Sequence, residues 1–250
     1  MQNQSIIREF WRKSIKFNWI LGLVLIIALG IPRFIIVLKS NITGNYYYIF
    51  LIFLTMWFLP FIFLSKKGRT FIGITRVKKK IWILYSFLVG IGICLLVYFI
   101  GLLFYDGTIH NWFVYISKYQ TAPGDITNNQ RLTYFLIGGI MSMTFSPIGE
   151  ELFYRGFVHG SFQVNVGDNK ASYLDSLAFA VTHLAHFGIV YSRGTWEFLL
   201  IPAILWVFLM FITSRIFYIC KKKSGSILGA IISHAGFNLT MMYLIFYHIL

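Results

Sequence analysis

The chain has 250 residues, of which 58% are hydrophobic and 12% charged, and its mean hydropathy is +0.72. Soluble domains carry about 25% charged residues, so this composition excludes an ordinary soluble fold and indicates a membrane protein. A net charge of +14 can signal nucleic-acid binding. Here, however, the basic residues cluster between apolar runs, as in cytoplasmic loops that face anionic lipid headgroups, and no nucleic-acid partner is expected.

A spanning helix needs about 20 mostly apolar residues. In chain order the candidates are 17–38, 46–64, 81–104, 132–145, 171–191, 198–218 and 227–250. The first holds Pro32-Arg33 near its end, where Arg33 is placed to snorkel to the interface. Its apolar run resumes to Leu38, which reads as an anchor rather than a cleaved signal peptide. Between spans two and three lie Lys66, Lys67, Arg69, Arg76, Lys78, Lys79 and Lys80, and between spans six and seven Lys221-Lys222-Lys223. The alternate loops hold few charges. This asymmetry predicts a multi-pass cell-membrane protein with a cytoplasmic N-terminus.

The fourth span is short. A break at Ser146-Pro147 would hide an eighth helix in 149–162, so the expectation is an all-α bundle of about seven to eight spans forming one membrane domain, 1–250. Residues 105–131 form the longest polar connection, with Pro123-Gly124-Asp125 as a turn signal, and 165–170 form a second loop. Cys94 and Cys220 lie in or at the end of apolar segments without metal-type spacing, and read as packing residues.

Ionisable groups at membrane depth cost roughly 2.5–3.5 kcal/mol each on insertion scales, and are functional candidates for that reason. Three segments hold them. In Ser146-Pro147-Ile148-Gly149-Glu150-Glu151-Leu152-Phe153-Tyr154-Arg155, Glu151 and Arg155 are four apart and share a helix face. Glu150 points about 100° away, free to face a cavity. In the segment Phe179-Ala180-Val181-Thr182-His183-Leu184-Ala185-His186, Phe179 sits one turn before His183, near mid-membrane, and the His-x-x-His spacing can chelate a metal. In Ser233-His234-Ala235-Gly236-Phe237-Asn238, His234 and Asn238 again share a face. They suit either a pair of donors to a developing oxyanion or interhelical hydrogen bonding. Together the segments supply a carboxylate to activate water, a histidine to shuttle its proton and donors for the oxyanion.

Glu150-Glu151-x-x-x-Arg155, Phe179-x-x-x-His183 and His234-x-x-x-Asn238, in this order, resemble the CPBP intramembrane proteases. That family covers type II CAAX prenyl endopeptidases and bacterial bacteriocin-processing or Abi-type proteins. The resemblance covers about residues 132–245, a protease core within the membrane domain. It implies a helical bundle around a polar intramembrane cavity, in which Glu150 and His183 activate water for peptide cleavage. His234 and Asn238 would form the oxyanion site, with Glu151 and Arg155 supporting the geometry. The chain lacks His-Glu-x-x-His, so a cofactor-free glutamate mechanism is expected. A zinc site on Glu150, His183 and His234 is the alternative. The expected partners are membrane lipids and a peptide or membrane-protein substrate. A non-catalytic immunity or scaffold protein of the same fold, or a proton-relaying transporter, are competing functions.

Overall fold

In lipid, every span has to satisfy its own backbone hydrogen bonds, which leaves helices as the available element for an apolar chain of this kind. The computed structural model describes residues 6–118 and 127–250, and places nine helices among them. They are α1 (Trp19–Thr43), α2 (Tyr47–Phe63), α3 (Lys66–Phe71), α4 (Ile81–Tyr105), α5 (Trp112–Ser117), α6 (Asn128–Val166), α7 (Asp168–Thr182), α8 (Leu200–Ser224) and α9 (Ile227–Ile249). By length and composition α1, α4, α6, α8 and α9 can cross a membrane, and α2 is a shorter apolar helix. Large apolar side chains such as Ile27, Ile35, Leu96, Phe99, Ile204 and Phe208 stay exposed on the outer faces, a pattern that suits hydrocarbon and not water. The all-α membrane class is therefore borne out.

Helix ends follow local chemistry. Asn18 caps α1 and Ser226 caps α9 through their side chains, and Thr127 with Gln130 forms a capping box on α6. Gly44 and Gly225 end α1 and α8 in the left-handed conformation. Backbone hydrogen bonds tie the basic segments together at one end of the bundle. Ser65 donates to Ile6, Lys78 to the Ser224 carbonyl, and Ile227 to the Gly73 carbonyl. The Pro123–Asp125 turn lies outside the described residues.

Two sequence expectations are corrected. Residues 132–162 do not break at Ser146-Pro147, and no separate eighth helix exists; α6 runs continuously for 39 residues. Pro147 leaves one upstream carbonyl without its i−4 donor, and the turns after it widen into a π-helix over Glu151–Val158. A close crossing at Gly149, where a Cβ would come 2.6 Å from the Phe53 carbonyl oxygen, presses the same stretch against α2.

The span expected at 171–191 is also different. At 15 residues, α7 rises only about 22 Å, short of the roughly 30 Å hydrocarbon core. It ends in a 3-10 turn, His183–Ala185, so His183 sits at a helix end and not mid-span. Neighbouring helices bond to the carbonyls there: Trp206 Nε1 donates to His183 O at 2.9 Å, which also accepts from His186 and Phe187 N–H, and Asn41 Nδ2 donates to Ala185 O at 2.9 Å. Gly188, at φ 116°, then turns the chain into a hairpin of β1 (Ile189–Ser192) and β2 (Thr195–Phe198), antiparallel with Ile189 opposite Phe198. The loop expected at 165–170 shrinks to Gly167, at φ 81° between α6 and α7.

Candidate active site

The three motifs converge on one cavity of about 640 Å³, lined by Glu150, His183, His234 and Asn238. Its walls are largely aromatic and sulfur-bearing, including Phe50, Phe53, Phe145, Met210 and Met241. Polar chemistry is thus held in a small part of an apolar space, the usual composition of a binding pocket.

The two adjacent glutamates are held by different partners. Glu150 is buried, and its Oε1 lies 2.7 Å from Arg33 Nη2 and accepts from Ser146 Oγ at 3.3 Å. Its Oε2 is buried without a hydrogen bond among the described residues. Glu151 faces α9 instead, where its Oε1 accepts from His234 Nδ1 at 2.8 Å. The same oxygen lies 3.2 Å from Arg155 Nη1, an ion pair by distance, without hydrogen-bond alignment. Arg155 is wholly buried and stacks 4.1 Å above the Phe179 ring, a cation–π contact that supplies part of what water would have given it.

The histidine tautomers follow from their partners. A backbone carbonyl only accepts, so His183 Nδ1, 2.7 Å from Phe179 O, carries the proton and leaves the Nε2 lone pair available. His234 gives its Nδ1 proton to Glu151. Its Nε2 is therefore the position that can meet substrate, as an acceptor in the neutral ring and as a donor in the imidazolium. Asn238 donates one Nδ2 hydrogen to Ser142 O at 2.9 Å and retains a second. His234 and Asn238 do share the cavity-facing side of α9, but they do not bond to each other.

Arg33 is the main correction here. It is 1% exposed and does not snorkel, because Glu150 and Thr182, with Oγ1 at 2.7 Å, receive its guanidinium inside the bundle. His186 Nε2 lies 3.3 Å from Arg33 Nη2. Since arginine has no acceptor, that nitrogen must carry the lone pair. A cation thus stands where a His183/His186 metal would draw on His186. Glu150, likewise, has one oxygen engaged with the guanidinium, and no group of three His, Cys, Asp or Glu side chains among the described residues is arranged to hold a metal. The residues as placed do not fit the zinc alternative.

A second cluster was not foreseen. Behind Arg155, Asp175 Oδ1 lies 4.0 Å from its Nε. Asp175 Oδ2 meets His159 Nδ1 at 2.7 Å, and His159 Nε2 meets Asp168 Oδ1 at 3.0 Å. Tyr218 and Lys222 complete Asp168. Charged groups therefore run from His234 in the cavity to the basic end of the bundle. With only eight acids in the chain, Asp168 and Asp175, seven residues apart on one face of α7, were the signal that could have found it.

A multi-pass helical membrane protein in which a buried carboxylate and three histidines line one largely apolar cavity is the class that fold and site define. Residues 132–240 match the family model described as Type II CAAX prenyl endopeptidase Rce1-like, so the segment that carries all three motifs is similar to that family. No curated protein and no solved structure matches the chain.

Proposed function

We propose that this protein is an intramembrane endopeptidase that cleaves an apolar, membrane-associated peptide with a water activated by Glu150 and His183. The observation that carries the reading is the convergence of three sequence-distant motifs on one cavity, with Glu150, one of its lining residues, keeping Oε2 without a hydrogen bond among the described residues. In this reading Glu150 Oε2 takes a proton from water as the water oxygen attacks the peptide carbonyl carbon. His183 Nε2 orients that water. The His234 imidazolium, through Nε2–H, and the second Asn238 N–H stabilise the oxyanion. The proton then passes to the amide nitrogen, the C–N bond breaks, and an amine and a carboxylate leave. Glu151 and Arg155 fix His234, and no step is routed through a metal.

Apolar walls favour a hydrophobic peptide such as a bacteriocin leader, a pheromone precursor or a CAAX-like tail. The end of the bundle carrying Arg8, Lys66–Lys80 and Lys221–Lys223 is assigned to the cytoplasm, the side where basic loops accumulate. The test is peptide cleavage by purified wild type and Glu150→Ala, with a chelator titration alongside. Loss of cleavage in the variant and indifference to chelator are expected. Equal cleavage by both proteins would reject the reading and favour a non-catalytic scaffold, while chelator sensitivity would restore the zinc alternative.

A further inference from the structure

Arg33 enters the site from α1, outside the segment 132–240 that matches the protease family. Its charge is 117 residues away in sequence from the carboxylate that it meets. Burying a guanidinium in an apolar bundle is unfavourable unless it is paired and hydrogen-bonded, and here it is both, through Glu150 Oε1, Thr182 Oγ1 and His186 Nε2. Thr182 is itself held, its hydroxyl donating to Phe179 O at 2.8 Å, and Phe53 lies 5.7 Å beneath the guanidinium. The group is fixed on several sides.

The backbone is adjusted to aim it. α1 widens into a π-turn at Ile26–Gly30, three residues before Arg33, and α6 does so at Glu151, one residue after Glu150. A π-turn adds one residue and rotates the downstream part of the helix by about 100°. Both members of the pair thus stand at the edge of such a segment, a position that recurs at functional sites.

We infer that Arg33 is a positioning residue of the active site, setting its positive charge against Glu150 and anchoring Oε1 so that Oε2 is left without a protein partner among the described residues. A carboxylate without a counter-charge is costly in an apolar cavity, and only its charged form can take a proton from water. An anchor on one oxygen leaves the other to react. The assignment rests on the proposed peptidase reading. It gives this chain a determinant of activity that the three motifs do not contain.

The experiment uses the full-length protein in detergent with a quenched-fluorescence library of short apolar peptides, comparing wild type, Glu150→Ala, Arg33→Ala, Arg33→Lys and Arg33→Gln. Arg33→Ala is expected to lose at least ~100-fold in kcat while KM moves by less than about threefold. Added guanidinium, with urea at equal concentration as control, should restore about tenfold or more. Arg33→Lys should exceed Arg33→Gln, a comparison that stands even if the alanine variant fails to fold. The inference is overturned if Arg33→Ala keeps wild-type kcat, if a folded Arg33→Ala is not restored by guanidinium, or if Lys and Gln are equivalent. Cleavage that survives Glu150→Ala, or a wild type that cleaves no peptide in the library, defeats the peptidase reading and this inference with it. Loss in Glu150→Ala together with full activity in Arg33→Ala defeats this inference alone.

Discussion

His234 donates from Nδ1 to Glu151 at 2.8 Å, across 83 residues of sequence, and the accepting oxygen is the one that faces Arg155. One carboxylate therefore sets the ring orientation of a histidine in the cavity and neutralises a fully buried arginine. A histidine fixed at Nδ1 by a carboxylate presents Nε2 in a defined direction. The adjacent Glu150 is left to a different partner and a different task.

Glu151→Gln should therefore damage stability as well as chemistry. An uncompensated buried charge after loss of one partner costs about 3–5 kcal/mol, and Asp175 at 4.0 Å offsets a part. The expected loss is near the lower end, read as a fall in melting temperature in detergent. Glu151→Gln/Arg155→Met should regain some of it, because the stranded cation is gone. A single variant as stable as wild type would show that the ion pair contributes nothing.

His183 offers a cleaner separation. Among the described residues its side chain makes one hydrogen bond, to Phe179 O, and its backbone carbonyl, not its ring, receives Trp206. His183→Asn should keep the fold and lose about 10²–10⁴ in kcat. Near-wild-type turnover with an unchanged melting temperature would remove His183 from the chemistry.

Gly149 sets the distance between α6 and α2. An added Cβ would meet Phe53 backbone atoms at 2.6–3.2 Å, and backbone cannot rotate aside as a side chain can. Gly149→Ala should cost about 1–3 kcal/mol by overpacking, and should lower activity because Phe53 supports Arg33. Gly139 is a control on the same helix. Its nearest neighbours are side-chain atoms at 3.8 and 3.9 Å, so Gly139→Ala should be neutral or slightly stabilising. Equal melting temperatures for the two variants would mean that the close crossing is not maintained in solution.

The motif residues were legible because helical spacing fixes which side chains share a face, and Glu151 with Arg155 needed nothing more. Arg33 was not, since its partner lies on another helix and its aim depends on a π-turn that leaves no clear mark in composition. The end of α7 was hidden for a related reason. The run 171–191 is apolar enough to read as a span, and the contacts made where it stops, from Trp206 and Asn41, come from other helices. The hairpin beyond did carry a signal. Arg193 and Gly194 both have positive φ, 51° and 81°, and a two-residue loop ending in glycine between β-prone residues is a hairpin pattern.

Asp168 provides a prediction about pH. It lies at the basic end of the bundle, and hydrogen bonding from His159, then from Lys222 and Tyr218, holds its carboxyl well below the usual carboxylate range, against a smaller opposing effect of burial. A carboxyl whose folded-state pKa is depressed adds stability above its unfolded value, and that stability is lost as pH falls through the folded one. The difference in melting temperature between wild type and Asp168→Asn should therefore be fully present at about pH 5 and shrink only in stronger acid. The effect should be modest, since Asp168 is 38% exposed and solvent screens it. Thermal melts of both proteins between neutral and strongly acid pH, in a detergent that does not titrate, give the comparison. A difference that grows on acidification would reverse the sign and show that Asp168 is protonated in the folded protein.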